Sequence, residues 1–147
     1  MIIISHRGNL NGRVPERENT VQFIEEALNQ GFNVEVDLWI LGKHRYFLGH
    51  DSPDHQVDEG WLLDNHESLW VHAKSIETAE TLYKSNVFNW FWHQEDSMTQ
   101  TSRGYIWTYP GVHLTGCITV QPDFHPLPRT ILGVCSDYPH HYKQFFL

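Results

Sequence analysis

Apolar residues in this chain come in short, dense runs separated by polar islands. Ile2-Ile3-Ile4 reads as a buried strand that ends at His6. Residues 7–18 are polar, contain Gly8, Gly12 and Pro15, and read as a loop. Val21, Ile24, Ala27 and Leu28 recur at helical spacing. That spacing predicts a helix over about residues 20–30, capped by Asn19 or Thr20 and stopped by Gly31. Phe32–Ile40 is a second strand; after a turn at Gly42-Lys43, Arg45–Leu48 is a third, ending at Gly49-His50-Asp51. Residues 52–68 are acidic and irregular, anchored by Trp61, Leu62 and Leu63.

Leu69–Lys74 predicts a fourth strand, and Ser75 caps a helix over 76–85 with Ile76, Ala79, Leu82 and Tyr83 on one face. Val87–Trp92 is a fifth strand, and Tyr105–Thr108, Cys117–Val120 and Ile131–Cys135 complete eight. A last short helix follows from Tyr138. With no repeat and no linker, residues 1–147 read as one domain. Eight strands with intervening helices predict an α/β fold, a small, trimmed TIM-like (β/α) barrel. A usual barrel takes ~250 residues, so the outer helices after strands two, five, six and seven are expected to be missing. Phe88, Trp90, Phe91, Trp92 and Trp107 would then either fill a monomer core or form a bare aromatic face. Because large exposed apolar patches mark interfaces, the expectation is a homodimer or higher homo-oligomer through these strands.

Composition narrows the partners. A net charge of −8 with only 10 Lys+Arg argues against nucleic acid or an anionic membrane as the main partner. A local basic pocket for one phosphate is compatible with it. Among the 11 histidines, His44, His55, His66, His140 and His141 read as ordinary surface groups. Cys117 and Cys135 lack CxxC spacing and read as buried free thiols, with a bridge between neighbouring strands left open. The Met-Ile-Ile-Ile start is too short for a signal peptide and no apolar run has membrane-spanning length, so a cytoplasmic protein is expected.

The chemistry lies at strand ends. Glu35 and Asp37 are two apart on a strand and share a face, with Val34, Val36 and Leu38 on the other. Two acids inside an apolar strand are costly without charged partners; a divalent cation is the simplest, and solvated acids on an edge strand are the alternative. His72 and Lys74 repeat the pattern in Trp70-Val71-His72-Ala73-Lys74. His72 would complete the metal set, and Lys74 would neutralise a phosphate oxygen or hold a carboxylate. His6 and His50 end strands and suit general acid and base work around a phosphate. Arg7 would bind that phosphate as a fork of donors. Asp51 would orient a histidine. Glu18 would support the site or ligate the metal, and Asn19 reads mainly as a helix cap. His93, Asp123 and Asp137 are weaker candidates at the ends of later strands, and Trp107, Tyr109 and Tyr138 would line a pocket or pack the core.

His6-Arg7-Gly8, Glu18-Asn19-Thr20, Glu35-x-Asp37 and His50-Asp51, in that order and spacing, resemble the glycerophosphodiester phosphodiesterases of the phospholipase-C-like superfamily. Ser136-Asp137-Tyr138-Pro139 resembles that family's Thr-Asp-x-Pro ending. The resemblance implies His6 and His50 as the acid/base pair, with Lys74 beside them in catalysis. It implies Mg²⁺ or Ca²⁺ at Glu35 and Asp37, and phosphate on Arg7. It further implies hydrolysis of a small soluble phosphodiester, either a glycerophosphodiester or a glycerol-phosphate-bearing saccharide. A cyclising lyase of the sphingomyelinase-D type and a degenerate barrel that only binds a phosphorylated ligand are the alternatives. One departure is chemical: where the family has Glu-x-Lys, this chain has His72-Ala73-Lys74, which moves preference toward Mn²⁺ or Zn²⁺.

Overall fold

A computed structural model describes residues 1–122 and 124–145. Ten strands form one curled sheet: β1 (Ile2–His6), β2 (Asn33–Leu41), β3 (Arg45–Leu48), β4 (His55–Val57), β5 (Leu69–Ala73), β6 (Asn89–Phe91), β7 (Met98–Gln100), β8 (Ile106–Thr108), β9 (Cys117–Val120) and β10 (Gly133–Ser136). The helices are short: α1 (Val21–Asn29), α2 (Glu59–Asp64), α3 (Ile76–Ser85) and α4 (Pro139–Phe145). None of them is long and apolar enough to cross a membrane.

The expected TIM-like barrel is not the fold. The sheet is a curled, mixed half-barrel, and β/α units do not alternate around it. Along its parallel part the order is β6-β5-β2-β1-β10-β9-β8, with β7 antiparallel on β8. The nine residues of β2 outrun its parallel neighbours, so β3 folds back on its far end and β4 on β3, both antiparallel. The direction of the three antiparallel pairings is not recorded in the pattern of apolar residues.

Absent helices are replaced by other cover. Only loops join β8 to β9 and β9 to β10, where a parallel crossover ordinarily carries a helix. Leu127 and Ile131 of the second loop, with Tyr142 of α4, pack on Cys117 and Val134 across that outer face. Farther along the same outer face, α1 and α3 bury Ile24, Ala27 and Leu82 against Val34, Val36, Leu38 and Val71. Ile76 and Tyr83, expected on that apolar face of α3, are instead 78% and 75% exposed. Thr78 takes the buried position, because its hydroxyl accepts the Ile40 N–H at 2.7 Å.

Inside the curl lie Ile4, Trp70, Phe91, Trp107, Ile118, Val120 and Cys135. Of the two readings open to the aromatic strands, they take the one that fills the chain's own core. Phe88, Phe91 and Trp107 are buried within one chain, and Trp90 and Trp92 are half-buried against its core. Cys117 and Cys135 are both free, and they belong to different clusters on opposite faces of the sheet. At the ends of the sheet, β6 and β7 are joined through Ser102: its N–H donates to Trp90 O, and its Oγ accepts from Trp90 N and donates to Phe88 O.

Candidate active site

Strand parity sorts the residues. In β2, Val34, Val36 and Leu38 face the helices, which turns Glu35 and Asp37 into the curl. In β5 the same alternation sends Val71 outward and His72 inward, and Asp37 pairs with His72 in the register. Ligating atoms of Glu35, Asp37 and His72 consequently lie within 4.8 Å of one another.

The polarity of these groups suits a cation. His72 Nε2 sits 3.1 Å from the His93 carbonyl, which can only accept, so Nε2 carries the proton. His72 Nδ1 then faces Asp37 Oδ1 at 3.1 Å, a separation that either a proton or a cation between the two atoms satisfies. Glu35 Oε2 and Asp37 Oδ1 are buried without a hydrogen-bond donor. A metal-bound histidine usually donates its other N–H to a fixed acceptor, as here. The residues present thus fit a divalent cation.

Electrostatics separate the two acids. Burial and the Asp37 charge push the Glu35 carboxyl well above the ordinary carboxylate range. Burial opposes ionisation of Asp37 as well, but His72, Arg7 and Asn19 outweigh it and hold its pKa low. Asn19 grips Asp37 twice: its amide nitrogen donates to Oδ2 at 2.9 Å, and its oxygen accepts the Asp37 N–H at 3.0 Å. Capping of α1, expected of either Asn19 or Thr20, falls to Thr20, whose hydroxyl accepts from Phe23 N.

His6 ends β1 on the same side. Its Nδ1 is 2.8 Å from Asp137 Oδ1, while Nε2 lies 3.8 Å from Glu35 Oε2. Asp137 also accepts from Asn9 Nδ2 at 2.8 Å and from Gln121 Nε2 at 2.9 Å. Burial opposes its ionisation, but these donors lower its pKa. Gln121 Nε2 also approaches Nδ1, at 2.7 Å; with the Nδ1 proton given to the ionised Asp137, the Nε2 lone pair is directed at the triad. Arg7 adopts positive φ (57°) and places Nε 3.1 Å from Asp37 Oδ2 and NH1 3.4 Å from Glu18 Oε2. Glu18 is also held by Asn9 and Arg13. It supports Arg7 from behind rather than joining the triad.

Two connected clefts share His6, Arg7 and His50. The outer one, about 620 Å³, reaches Arg13, Glu18 and Asp137. The inner one, about 380 Å³, reaches Glu35, His72, Lys74, Trp107 and Tyr109. His50 is 44% exposed, and its Nδ1 pairs with the exposed Asp51 at 2.8 Å. Asp51 therefore orients His50, and Asp137 orients His6. His93 contributes its carbonyl and stacks its ring on Tyr109 at 3.6 Å. Tyr138 packs on Phe124 instead of lining either cleft. Asp123 lies outside the described residues.

Asn9 and Gln121 belong to the candidate site through Asp137, and the sequence did not single them out. Gln121 directly follows β9, the rim position already assigned to His6 after Ile4, so its place was available as a signal. Nothing in the local pattern distinguishes Asn9 from the other loop amides. The chain matches no family model, no curated protein and no solved structure.

Proposed function

We propose that this cleft hydrolyses a small, soluble phosphodiester with the help of one divalent cation. The observation that carries the reading is the adjacency of a cation-seeking triad, Glu35, Asp37 and His72, to a histidine whose proton is fixed by Asp137. Glu18, Asp37 and Asp137 all have lowered pKa values here and would repel a phosphodiester unless positive charge offsets them. Arg7 and Lys74 supply part of it at the cleft wall. A bound cation would supply the rest, neutralising charge on a phosphate oxygen as a Lewis acid.

His6 Nε2 accepts the proton of the attacking hydroxyl, either water or the substrate's own neighbouring alcohol. Asp137 stabilises the imidazolium that forms and stays ionised throughout. His50, which lines both clefts and is steadied by Asp51, returns a proton to the departing alcohol. Lys74 and Arg7 hold the phosphate against the inner wall. His72 in place of a carboxylate favours Mn²⁺ or Zn²⁺ over Ca²⁺.

The test is turnover of bis(p-nitrophenyl) phosphate and glycerophosphodiesters by metal-stripped protein titrated with Mg²⁺, Ca²⁺, Mn²⁺ and Zn²⁺. Metal-restored activity that falls about 10²–10⁴-fold in His6→Ala, with the fold intact by circular dichroism, supports the reading. Activity that survives His6→Ala, or no turnover with any ion, rejects it.

A further inference from the structure

The half-barrel has a second opening where its parallel strands begin, away from His6 and Asp137. The parity that turns Glu35, His72 and Phe91 inward also turns Asn33, Trp70 and Asn89 inward, each two residues earlier on the same strand. They line a pocket of about 270 Å³ that shares no residue with either cleft. Trp70 forms the partition. It is buried, and its ring stacks at 5.7 Å on Trp107, which lines the inner cleft.

Polar groups around this pocket are left without partners. Asn89 Oδ1 is buried and receives no hydrogen bond from the chain, a rare state for such an oxygen. His66 Nδ1 lies 2.8 Å from the Leu63 carbonyl, which can only accept, so Nδ1 carries the proton and Nε2 keeps its lone pair. Glu67 stands beside it in the wall. Arg103 gives one N–H to the Val87 carbonyl at 2.7 Å and keeps the rest of its fork. Among the described residues the arginine ion pairs are those of Arg7, Arg13 and Arg17, so Arg103 and Glu67 are not joined.

We propose that this pocket is a second binding site, for a free α-amino acid with an apolar side chain. An ammonium group has three N–H donors and no acceptor, which matches Asn89 Oδ1, His66 Nε2 and the Glu67 carboxylate. The ligand carboxylate takes the open side of the Arg103 fork. Ile2, Trp70 and Tyr105 give its side chain an apolar floor. Other chemistries meet obstacles. A phosphate would face Glu67, and a polyamine would face Arg103. A nucleobase needs an open ring face, but Trp70 is only 5% exposed, with Trp107 stacked on it and Tyr105 against it at 4.8 Å. The site stands independently of the phosphodiesterase reading.

Calorimetric titration with L-leucine, 3-methylbutylamine and 4-methylpentanoate tests the assignment. The amine is leucine without its carboxylate, and the acid is leucine without its ammonium. Wild-type protein is expected to bind leucine at least about tenfold tighter than either, as one lost charge-assisted hydrogen bond implies. Arg103→Gln should weaken leucine by about tenfold and leave the amine unchanged. Glu67→Gln should weaken leucine likewise without weakening the acid. Both side chains are exposed, so both variants are expected to fold. The double variant Glu35→Gln/Asp37→Asn should bind leucine as the wild type does. Equal affinity for the three ligands overturns the proposal, as does leucine affinity unchanged in both Arg103→Gln and Glu67→Gln. No heat from leucine, methionine or phenylalanine at millimolar concentration overturns it too. Leucine binding lost in the double variant would move the amino acid into the cleft and reject this pocket.

Discussion

Asp37 owes its orientation to Asn19. Both groups of the Asn19 amide are committed to Asp37, one to the side chain and one to the backbone N–H. Asn19→Ala should therefore weaken Mn²⁺ binding by about 10–100-fold, the usual cost of losing an outer support, read by calorimetry on the folded protein. An unchanged affinity would mean that the strand alone positions Asp37. Acid stability tests the other dyad. Asp137 and Glu18 both have lowered pKa values in the fold, against ~3.9 and ~4.3 unfolded. Each contributes stability that is complete above the unfolded value and is lost as pH falls through the folded one. Asp137→Asn should flatten the fall in urea stability below about pH 4, and a slope equal to wild type would show that the pair with His6 carries no such linkage. Parity made Glu35, Asp37 and His72 legible, because alternation along a strand is local. Asn9 and Gln121 were not, since their partner Asp137 is brought to them only by the folded sheet.

At the level of elements, the turn between β1 and α1 admits no side chain at its glycine. Gly8 has φ +92°, and a Cβ there would lie 2.9 Å from the Phe23 ring and 3.1 Å from Phe23 backbone. Gly8→Ala combines strain with that clash and should cost about 1–3 kcal/mol, measured by urea unfolding, with loss of metal binding because Arg7 and Asn19 flank the same turn. A cost under about 0.5 kcal/mol would mean that the turn relaxes freely. Long, strongly apolar elements such as β2 and α1 could be read from the chain. β4 and β7 could not: each has three residues, mostly polar and exposed, and is recruited to an edge by its neighbour. α2 was equally silent, being six residues long with Gly60 in its first turn and Asp58 as its cap.

For the whole molecule, cation binding and fold stability are linked. At about 100 times its dissociation constant, a cation that binds only the native state adds ~2.7 kcal/mol, so Mn²⁺ should raise the melting temperature of the wild type. The double variant Glu35→Gln/Asp37→Asn should melt at one temperature with and without the ion. A shift retained by the variant would place the cation elsewhere. Strand count pointed to a barrel, but three antiparallel pairings decided the outcome. Which strand reverses depends on turns, and apolar spacing does not record it. Sequence distance adds one more consequence. Asn19, Glu35, Asp37 and His72 lie within the first 72 positions, whereas His6 waits for Asp137, 131 residues away. On the proposed reading, the nascent chain would hold Glu35, Asp37 and His72 well before β10 exists to seat the carboxylate behind His6. Cation affinity would then come early and reactivity late, with the final strand as the trigger.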